Sequence, residues 1–193
     1  MKSTKIRVLA SSCAIFVASV TLTGCTVNLG WPFMGNGNMM GNSQDANFSG
    51  ADIMFAQMMI PHHQQAVNMG TLAETRAMSA EVKALAAKIK AEQSPEIAQM
   101  KGWLKIANAP LTMGHDMGMG GMLSDSQMKA LENSQGADFD QLFLQGMVAH
   151  HQGAIHMAQM VVDSTNPEAK ALGKAIIDSQ TKQIAYMETL LAK

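Results

Sequence analysis

The stretch that decides the fold is Met-Ile-Pro-His-His-Gln-Gln-Ala-Val-Asn-Met at residues 59–69, which returns with changes as Met-Val-Ala-His-His-Gln-Gly-Ala-Ile-His-Met at residues 147–157. Both copies place adjacent histidines between methionines. Imidazole nitrogen and thioether sulfur are ligands for borderline and soft metals, copper above all. The duplicated pattern therefore predicts a metal-binding element that the chain contains twice.

The similarity between the two halves extends well beyond the histidines. Residues 52–69 align with residues 140–157, and residues 81–104 align with residues 168–191. In the first segment of each half, one set of residues recurs at alternating spacings of four and three, which is the buried stripe of a helix. These residues are Phe55, Met59, His62, Ala66, Met69 and Ala73, and Phe143, Met147, His150, Ala154, Met157 and Val161. The second segments are also periodic, so each half is predicted to be a helical hairpin and the chain to be all-α.

Capping residues mark where the second helix of each hairpin begins. Asn166 followed by Pro167 suits an N-cap and a first helical position, and Ser79 occupies the matching place in the first half. Pro61 and Pro95 fall inside predicted helices of the first half only. Each proline removes a backbone hydrogen bond, so it either tunes the site by exposing a carbonyl or is a tolerated kink.

A long connection, from about residue 106 to residue 137, separates the hairpins, and a capping box of Ser124 and Gln127 predicts a short helix within it. Such a connection can run the length of a bundle, which makes the second and third long helices parallel. The predicted fold is a ferritin-like four-helix bundle built from two repeated helical hairpins with a long crossover. His62 and His150 then lie near the middle of antiparallel helices, so the two histidine pairs could meet at the centre.

The N-terminal residues predict the compartment. Lys2, Lys5 and Arg7 precede an apolar run that is too short and too often interrupted by Ser and Thr for a membrane span, which is typical of a secretory signal. The run ends in Leu-Thr-Gly-Cys at residues 22–25, which matches the bacterial lipobox, so Cys25 is predicted to carry lipid after cleavage. An uncleaved anchor is the alternative. In either case we expect the domain to lie outside the cytoplasm, in the bacterial cell envelope, attached to a membrane by its anchor.

The predicted organisation is a signal peptide at residues 1–24, a Gly/Asn/Met-rich tether at 25–48 and one helical domain at 49–193. Within that domain, hairpin 1 spans about 52–105, the Met-rich connection 106–137 and hairpin 2 about 138–192. Removal of the signal leaves 11 of the 14 basic residues against 15 acidic ones, a net charge of about −4. This balance argues against a nucleic-acid partner.

Cysteine is not expected to contribute to the metal site. Cys13 is discarded with the signal and Cys25 is consumed by lipid, which leaves no thiolate ligand. Thioether and imidazole suit an oxidising compartment, where a free thiol risks oxidation or disulfide formation. The 19 methionines of the chain fit this need.

Helical spacing groups the candidate ligands. His62 shares a helix face with Met69, and His63 shares one with Met59; the second half repeats the arrangement. Two imidazoles and two thioethers from facing helices suit Cu(I), and by the same logic Ag(I), in a low-coordinate or tetrahedral site. The predicted ligands are His62, His63, Met59, Met69, His150, His151, Met147 and Met157. The alternative is that the histidines are solvated or hydrogen-bonded within the core.

Two further groups of residues allow a functional and a structural interpretation. Five Met and His residues among the glycines of the connection favour weak metal capture over a plain linker: Met113, His115, Met117, Met119 and Met122. Gln93 and Gln180 occupy matching points on the second-helix stripes, where each could accept a proton from a ligand imidazole. We expect them instead to be surface residues at the edge of the stripe.

The paired segments at residues 59–66 and 147–154 resemble the bacterial family known as domain of unknown function 305. The resemblance spans about residues 52–191. It implies a ferritin-like four-helix bundle outside the cytoplasm, with members that bind copper and contribute to copper tolerance. Carried over to this chain, it implies a metal role for the four histidines and for the flanking Met59, Met69, Met147 and Met157.

The resulting expectation is a copper-binding envelope lipoprotein for sequestration, transfer or tolerance, with a copper-donor or copper-acceptor protein as a possible partner. Two other classes of function stay open. A di-iron enzyme in such a bundle requires a Glu-x-x-His pair, and the sequence contains none, so we expect no enzyme. In an envelope interaction module, Met-rich surfaces would bind a protein and the histidines would be structural.

Overall fold

Two hairpins of long helices dominate the computed structural model, which describes residues 47–113 and 120–193. The helices are α1 (Gly50–Arg76), α2 (Ala80–Ile106), α3 (Asp125–Asn133), α4 (Gly136–Ala158) and α5 (Pro167–Leu191). Within these two ranges the only β-type pairing is an isolated bridge between Ala77 and Gly136. The all-α prediction is confirmed.

Side-chain caps begin the helices where the sequence predicts them. The Ser79 and Asn166 side chains each accept two backbone N–H groups at the start of α2 and α5, and Ser124 opens α3 with a capping box. Ser49 forms a further capping box with Asp52 at the start of α1. Each cap satisfies N–H groups that have no partner inside the helix, and typically contributes about 1 kcal/mol. The helices α1 and α2 continue through Pro61 and Pro95.

The directions of the helices follow from a few contacts. Short turns make α2 antiparallel to α1 and α5 antiparallel to α4. His62 and His150 meet in the middle of α1 and α4, and Asp140 near the start of α4 accepts hydrogen bonds from the backbone beyond the end of α1. The helices α1 and α4 are therefore antiparallel, and α2 and α4 run in the same direction. Contacts between α2 and α5 include Trp103 Nε1, which donates to Glu168 Oε2 at 2.9 Å.

The end of the crossover lies against α1 and α4. Gln65 of α1 exchanges two hydrogen bonds with the backbone of Leu123, at 2.8 and 2.9 Å. On α4, a Cβ at Gly153 would overlap the carbonyl oxygen of Gly120. Only glycine at this position therefore allows the crossover to approach α4 so closely. Gly121 has a φ of +85°, which also favours glycine. The crossover is thus fixed at the level of the histidines.

The apolar core consists of two clusters. One contains Phe55 and Met59 of α1 with Met157 of α4, and the other contains Met69 of α1 with Met147 of α4. Phe48, before α1, is buried against Trp103 with ring centroids 5.2 Å apart. No helix in the described ranges combines the length and the apolar character needed to cross a bilayer.

Candidate metal centre

The imidazoles of His62 and His150 meet at the centre of the molecule. Their ring centroids are 3.7 Å apart, their planes are inclined by 39°, and both side chains are completely buried. The contact follows from the repeat, because each histidine occupies the inward stripe of its helix and the two helices are antiparallel. The expectation that the two repeats face each other at mid-helix is met by this pair.

None of the four ring nitrogens of His62 and His150 has a hydrogen-bond partner. A buried polar group without a partner costs about 1–3 kcal/mol, because it has lost its water. Buried polar groups in folded proteins therefore usually have a hydrogen-bond partner. Each neutral ring carries one nitrogen lone pair, and a metal ion bound between the two rings would satisfy both lone pairs.

Burial also keeps these two imidazoles neutral. It lowers the pKa of His62 to about 3, with a smaller contribution from the proximity of His63. The backbone of Gly120 opposes this lowering, although it does not form a hydrogen bond with either ring nitrogen. Burial lowers the pKa of His150 well below its usual value, and the proximity of His62 adds to the effect. A neutral imidazole is the form that binds metals.

His63 turns from this pair toward α2. Its Nε2 lies 2.8 Å from Oε2 of Glu96, while its Nδ1 is buried without a partner. A carboxylate only accepts hydrogen bonds, so Nε2 carries the hydrogen. In the neutral ring, the lone pair is then on Nδ1, which is the nitrogen left available to a metal.

His151 turns toward α5 and has a partner of different chemistry. Its Nε2 lies 2.6 Å from Oε1 of Gln183, whose amide Nε2 donates to Glu92 at 2.5 Å. Because the carboxylate of Glu92 requires a donor, the amide oxygen must face His151, and His151 Nε2 must carry the hydrogen. Nδ1 of His151 is again buried and unpaired. Burial lowers the pKa of His151 to about 4, and the hydrogen bond with Gln183 opposes the change.

The four predicted histidines therefore do not converge as one set. The ring of His63 is 6.4 Å from that of His62, and the ring of His151 is 6.3 Å from that of His150. The polar partners Glu96 and Gln183 were missed by the sequence analysis. Their matching positions in the aligned halves are the signal that could have found them.

The predicted methionines divide between the two apolar clusters, with one methionine from α1 and one from α4 in each. Met59 and Met157 belong to the same apolar cluster as Ala154, and Met69 and Met147 belong to the other cluster with Ala66. All four thioethers are buried, and Met157, at 3%, is the most exposed of them. A pair of methionines thus lies on each side of the central histidines along the helix axis.

Gln93 and Gln180 are buried to 2% exposure, so their interpretation as surface residues is wrong. Since His63 meets Glu96 on antiparallel helices, Gln93 lies at the level of Ala66; by the same register Gln180 lies at the level of Ala154. The small alanines leave room for the amides. Both amide atoms of Gln93 and Oε1 of Gln180 have no partner.

The unpaired atoms are concentrated in the layer of the central histidines and within about one helical turn on either side of it. Of the ten buried side-chain nitrogen and oxygen atoms without a partner in the described part of the chain, nine belong to the four histidines and to Gln93 and Gln180. The tenth is Oδ1 of Asp52. In residues 47–113 and 120–193, no three His, Cys, Asp or Glu side chains form a group that could hold a metal. A site at this layer would therefore combine imidazole with other donors.

The remaining predicted residues lie elsewhere. Met113 and Met122 are half-buried, on either side of residues 114–119. His115, Met117 and Met119 lie outside the described residues, as do Cys25, the signal peptide and most of the tether.

The sequence profile of the family named Domain of unknown function (DUF305) matches residues 52–191. The chain belongs to this family. The match covers both hairpins and the crossover between them, so the resemblance based on the paired histidine segments is confirmed. No curated protein matches the chain significantly.

Several solved structures are similar to this one. A DUF305 protein of Streptomyces coelicolor that is described as secreted has 36% identity and a TM-score of 0.71, over 74% of this chain and 92% of the other. A DUF305 fragment from Deinococcus radiodurans has 28% identity and a TM-score of 0.69, over 75% and 97%. The Cu(II)-bound form of CopM has 36% identity and a TM-score of 0.64, over 73% and 95%. CopM in Cu(I)-bound, Ag-bound and apo forms is also similar.

Proposed function

We propose that this protein is a copper-binding lipoprotein of the bacterial cell envelope that holds Cu(I), and also Ag(I), through paired His and Met side chains. Its role is to sequester the metal, transfer it to a partner protein or confer tolerance to it. It is a binding protein and not an enzyme. The fold is the ferritin-like form of the four-helix bundle, which is supported by the parallel directions of α2 and α4 on either side of a long crossover.

The observation that carries the proposal is the central pair of neutral, buried and unpaired imidazoles. His62 and His150 supply nitrogen donors from facing helices, and the flanking methionine pairs supply sulfur. Imidazole and thioether together favour Cu(I) and Ag(I), which accept low coordination numbers. The Nδ1 atoms of His63 and His151 are further donors in the same layer.

The structural relatives support the choice of metal and of compartment. CopM, at 33–36% identity, has been solved with Cu(I), Cu(II) and silver. The Streptomyces relative is described as secreted, in agreement with a location outside the cytoplasm. Attachment through Cys25 is proposed from the lipobox of the sequence.

We expect the purified protein to bind Cu(I) and Ag(I) more tightly than Zn(II), because thioethers contribute little to the binding of harder ions. Competition with a chromogenic Cu(I) chelator measures the Cu(I) affinity, and a zinc indicator measures the Zn(II) affinity in the same buffer. Zinc binding without measurable Cu(I) affinity would contradict the proposal.

Lipidation is tested separately. Cys25→Ser should abolish the incorporation of radiolabelled palmitate in bacterial cells, because only the thiol can accept diacylglycerol. Cys13→Ser is the matched control and should leave the labelling of the mature protein unchanged. Equal labelling of the Cys25→Ser variant and the wild type would refute the lipid anchor.

A further inference from the structure

The buried histidines raise the question of how an ion reaches them, since His62 and His150 have no exposed surface. A pocket of about 570 Å³ opens at the surface beside them, next to the end of the crossover. It is lined by side chains of α1 and α4 and by the backbone of Gly120 and Gly121. Among its lining residues are Met58, His156, Met157 and Met160.

The donors at this pocket have the chemistry of a soft-metal site. His156 lies in the last turn of α4, and Met160 follows two residues after the helix ends, in a tight turn where its N–H bonds to the carbonyl of Met157 at 3.1 Å. Both side chains line the same pocket. Met58 approaches from α1. His156 is exposed, whereas Met58 and Met160 are half-buried, so water and ions reach all three.

Met157 connects the pocket to the core. Its side chain lines the pocket, yet it also belongs to the apolar cluster that contains Met59 and Ala154. Ala154 is one turn beyond His150, which adjoins His62. Because the thioether of Met157 contacts both the pocket and the core, it could bind an ion from the pocket and pass it to the buried histidines.

The donor residues of this pocket are not repeated in the other half of the sequence. The positions that match His156 and Met160 in the first half are Asn68 and Leu72, and the position that matches Met58 in the second half is Gly146. Neither asparagine nor leucine is a ligand for a soft metal. Within residues 47–113 and 120–193, the combination of His156 and Met160 is therefore particular to the second hairpin, on the side where Gly153 contacts the crossover.

We propose that Met58, His156 and Met160 form a second, solvent-open site for Cu(I) and Ag(I), from which the ion passes by way of Met157 to the buried histidines. The passage to the histidines rests on the proposed function, whereas binding in the pocket does not. No change in oxidation state is involved; thioether and imidazole ligands are exchanged one at a time around the ion.

The test uses the full chain purified in detergent and silver nitrate as the probe. The variant His156→Asn/Met160→Leu carries the first-half residues at both positions. It should bind one Ag(I) fewer per chain than the wild type by calorimetric titration, and its buried site should load more slowly. Met78→Leu is the control, because Met78 is 67% exposed and remote from the pocket, and it should change neither quantity. Circular dichroism should show unchanged helix content in both variants.

A second variant, which lacks the central histidines, distinguishes the proposed pocket site from the proposed buried site. His62→Leu/His150→Leu should lose the buried site and keep the pocket equivalent of Ag(I), and addition of His156→Asn should then remove that equivalent. If His156→Asn/Met160→Leu keeps the wild-type stoichiometry and loading rate, the pocket proposal is overturned while the buried site stands. If His62→Leu/His150→Leu changes nothing while the pocket variant loses all binding, the buried site is overturned and the pocket stands.

Discussion

Replacing His62 and His150 together by leucine is expected to abolish tight Cu(I) binding while leaving the metal-free protein at least as stable as the wild type. The two imidazoles bury four unpaired nitrogens, each at a cost of about 1–3 kcal/mol. Leucine has a similar volume and no polar atom, so the exchange removes that cost without opening a large cavity. Loss of Cu(I) affinity should exceed the roughly 10–100-fold that follows from changing a mere hydrogen-bond partner of a ligand.

The measurements are chelator competition for Cu(I) affinity and thermal unfolding of the metal-free protein. A gain of about 1 kcal/mol corresponds to a rise of about 2–4 °C in a chain of this size. The single variants should each cause most of the loss in affinity, so that the double variant loses less than the sum, because both imidazoles hold one ion. Additive losses would mean independent ions, and an unchanged affinity would exclude this pair as ligands.

Much of the helical framework could be predicted from the sequence, because local rules determine it. The apolar periodicity and the side chains of Ser79, Ser124 and Asn166 act within a turn or two of the chain. The meeting of His62 with His150 could also be predicted, since the repeat places both at mid-helix and the long crossover fixes the antiparallel direction.

The side-chain pairing between helices could not be predicted in this way. On a single helix, the spacing groups His62 with Met69, whereas packing places Met69 in a cluster with Met147 of the facing helix. The burial of Gln93 and Gln180 depends on the room left by Ala66 and Ala154 across the interface, which no single segment reveals. Such contacts depend on the rotation of each helix about its axis, and this is fixed only by the assembled core.

The two halves have diverged where the crossover contacts them. Gln65 and Gly153 occupy matching positions in the two halves. Gln65 forms hydrogen bonds with the backbone of Leu123, whereas Gly153, which has no side chain, allows the backbone of Gly120 to pack against it. The single crossover cannot contact α1 and α4 in the same way. The repeated sequence therefore folds into an asymmetric structure. The halves also differ in sequence at Glu96 and Gln183, which gives His63 a carboxylate and His151 an amide as partner.

Acid is expected to destabilise the metal-free protein well above the pH at which carboxylates titrate. The pKa of His62 is lowered to about 3 and that of His151 to about 4, and the pKa of His150 also falls well below the usual histidine value of 6.5. Between these values and 6.5, the unfolded chain binds more protons than the folded one. Stability is therefore full above about pH 6.5 and falls as the pH decreases.

For His62 alone, the loss between pH 7 and pH 5 is about 2 kcal/mol, at about 1.4 kcal/mol for each pH unit below 6.5. Urea unfolding of the metal-free protein at pH 7, 6 and 5 measures it. The variant His62→Leu/His150→Leu should lose most of the dependence, since only His151 of the three then remains to be protonated on unfolding. Met78→Leu, which replaces an exposed residue without an ionisable group, should keep the wild-type profile. A flat wild-type profile from pH 7 to pH 5 would show that the central imidazoles are not held neutral by burial, and it would remove the physical basis assigned here to the metal site.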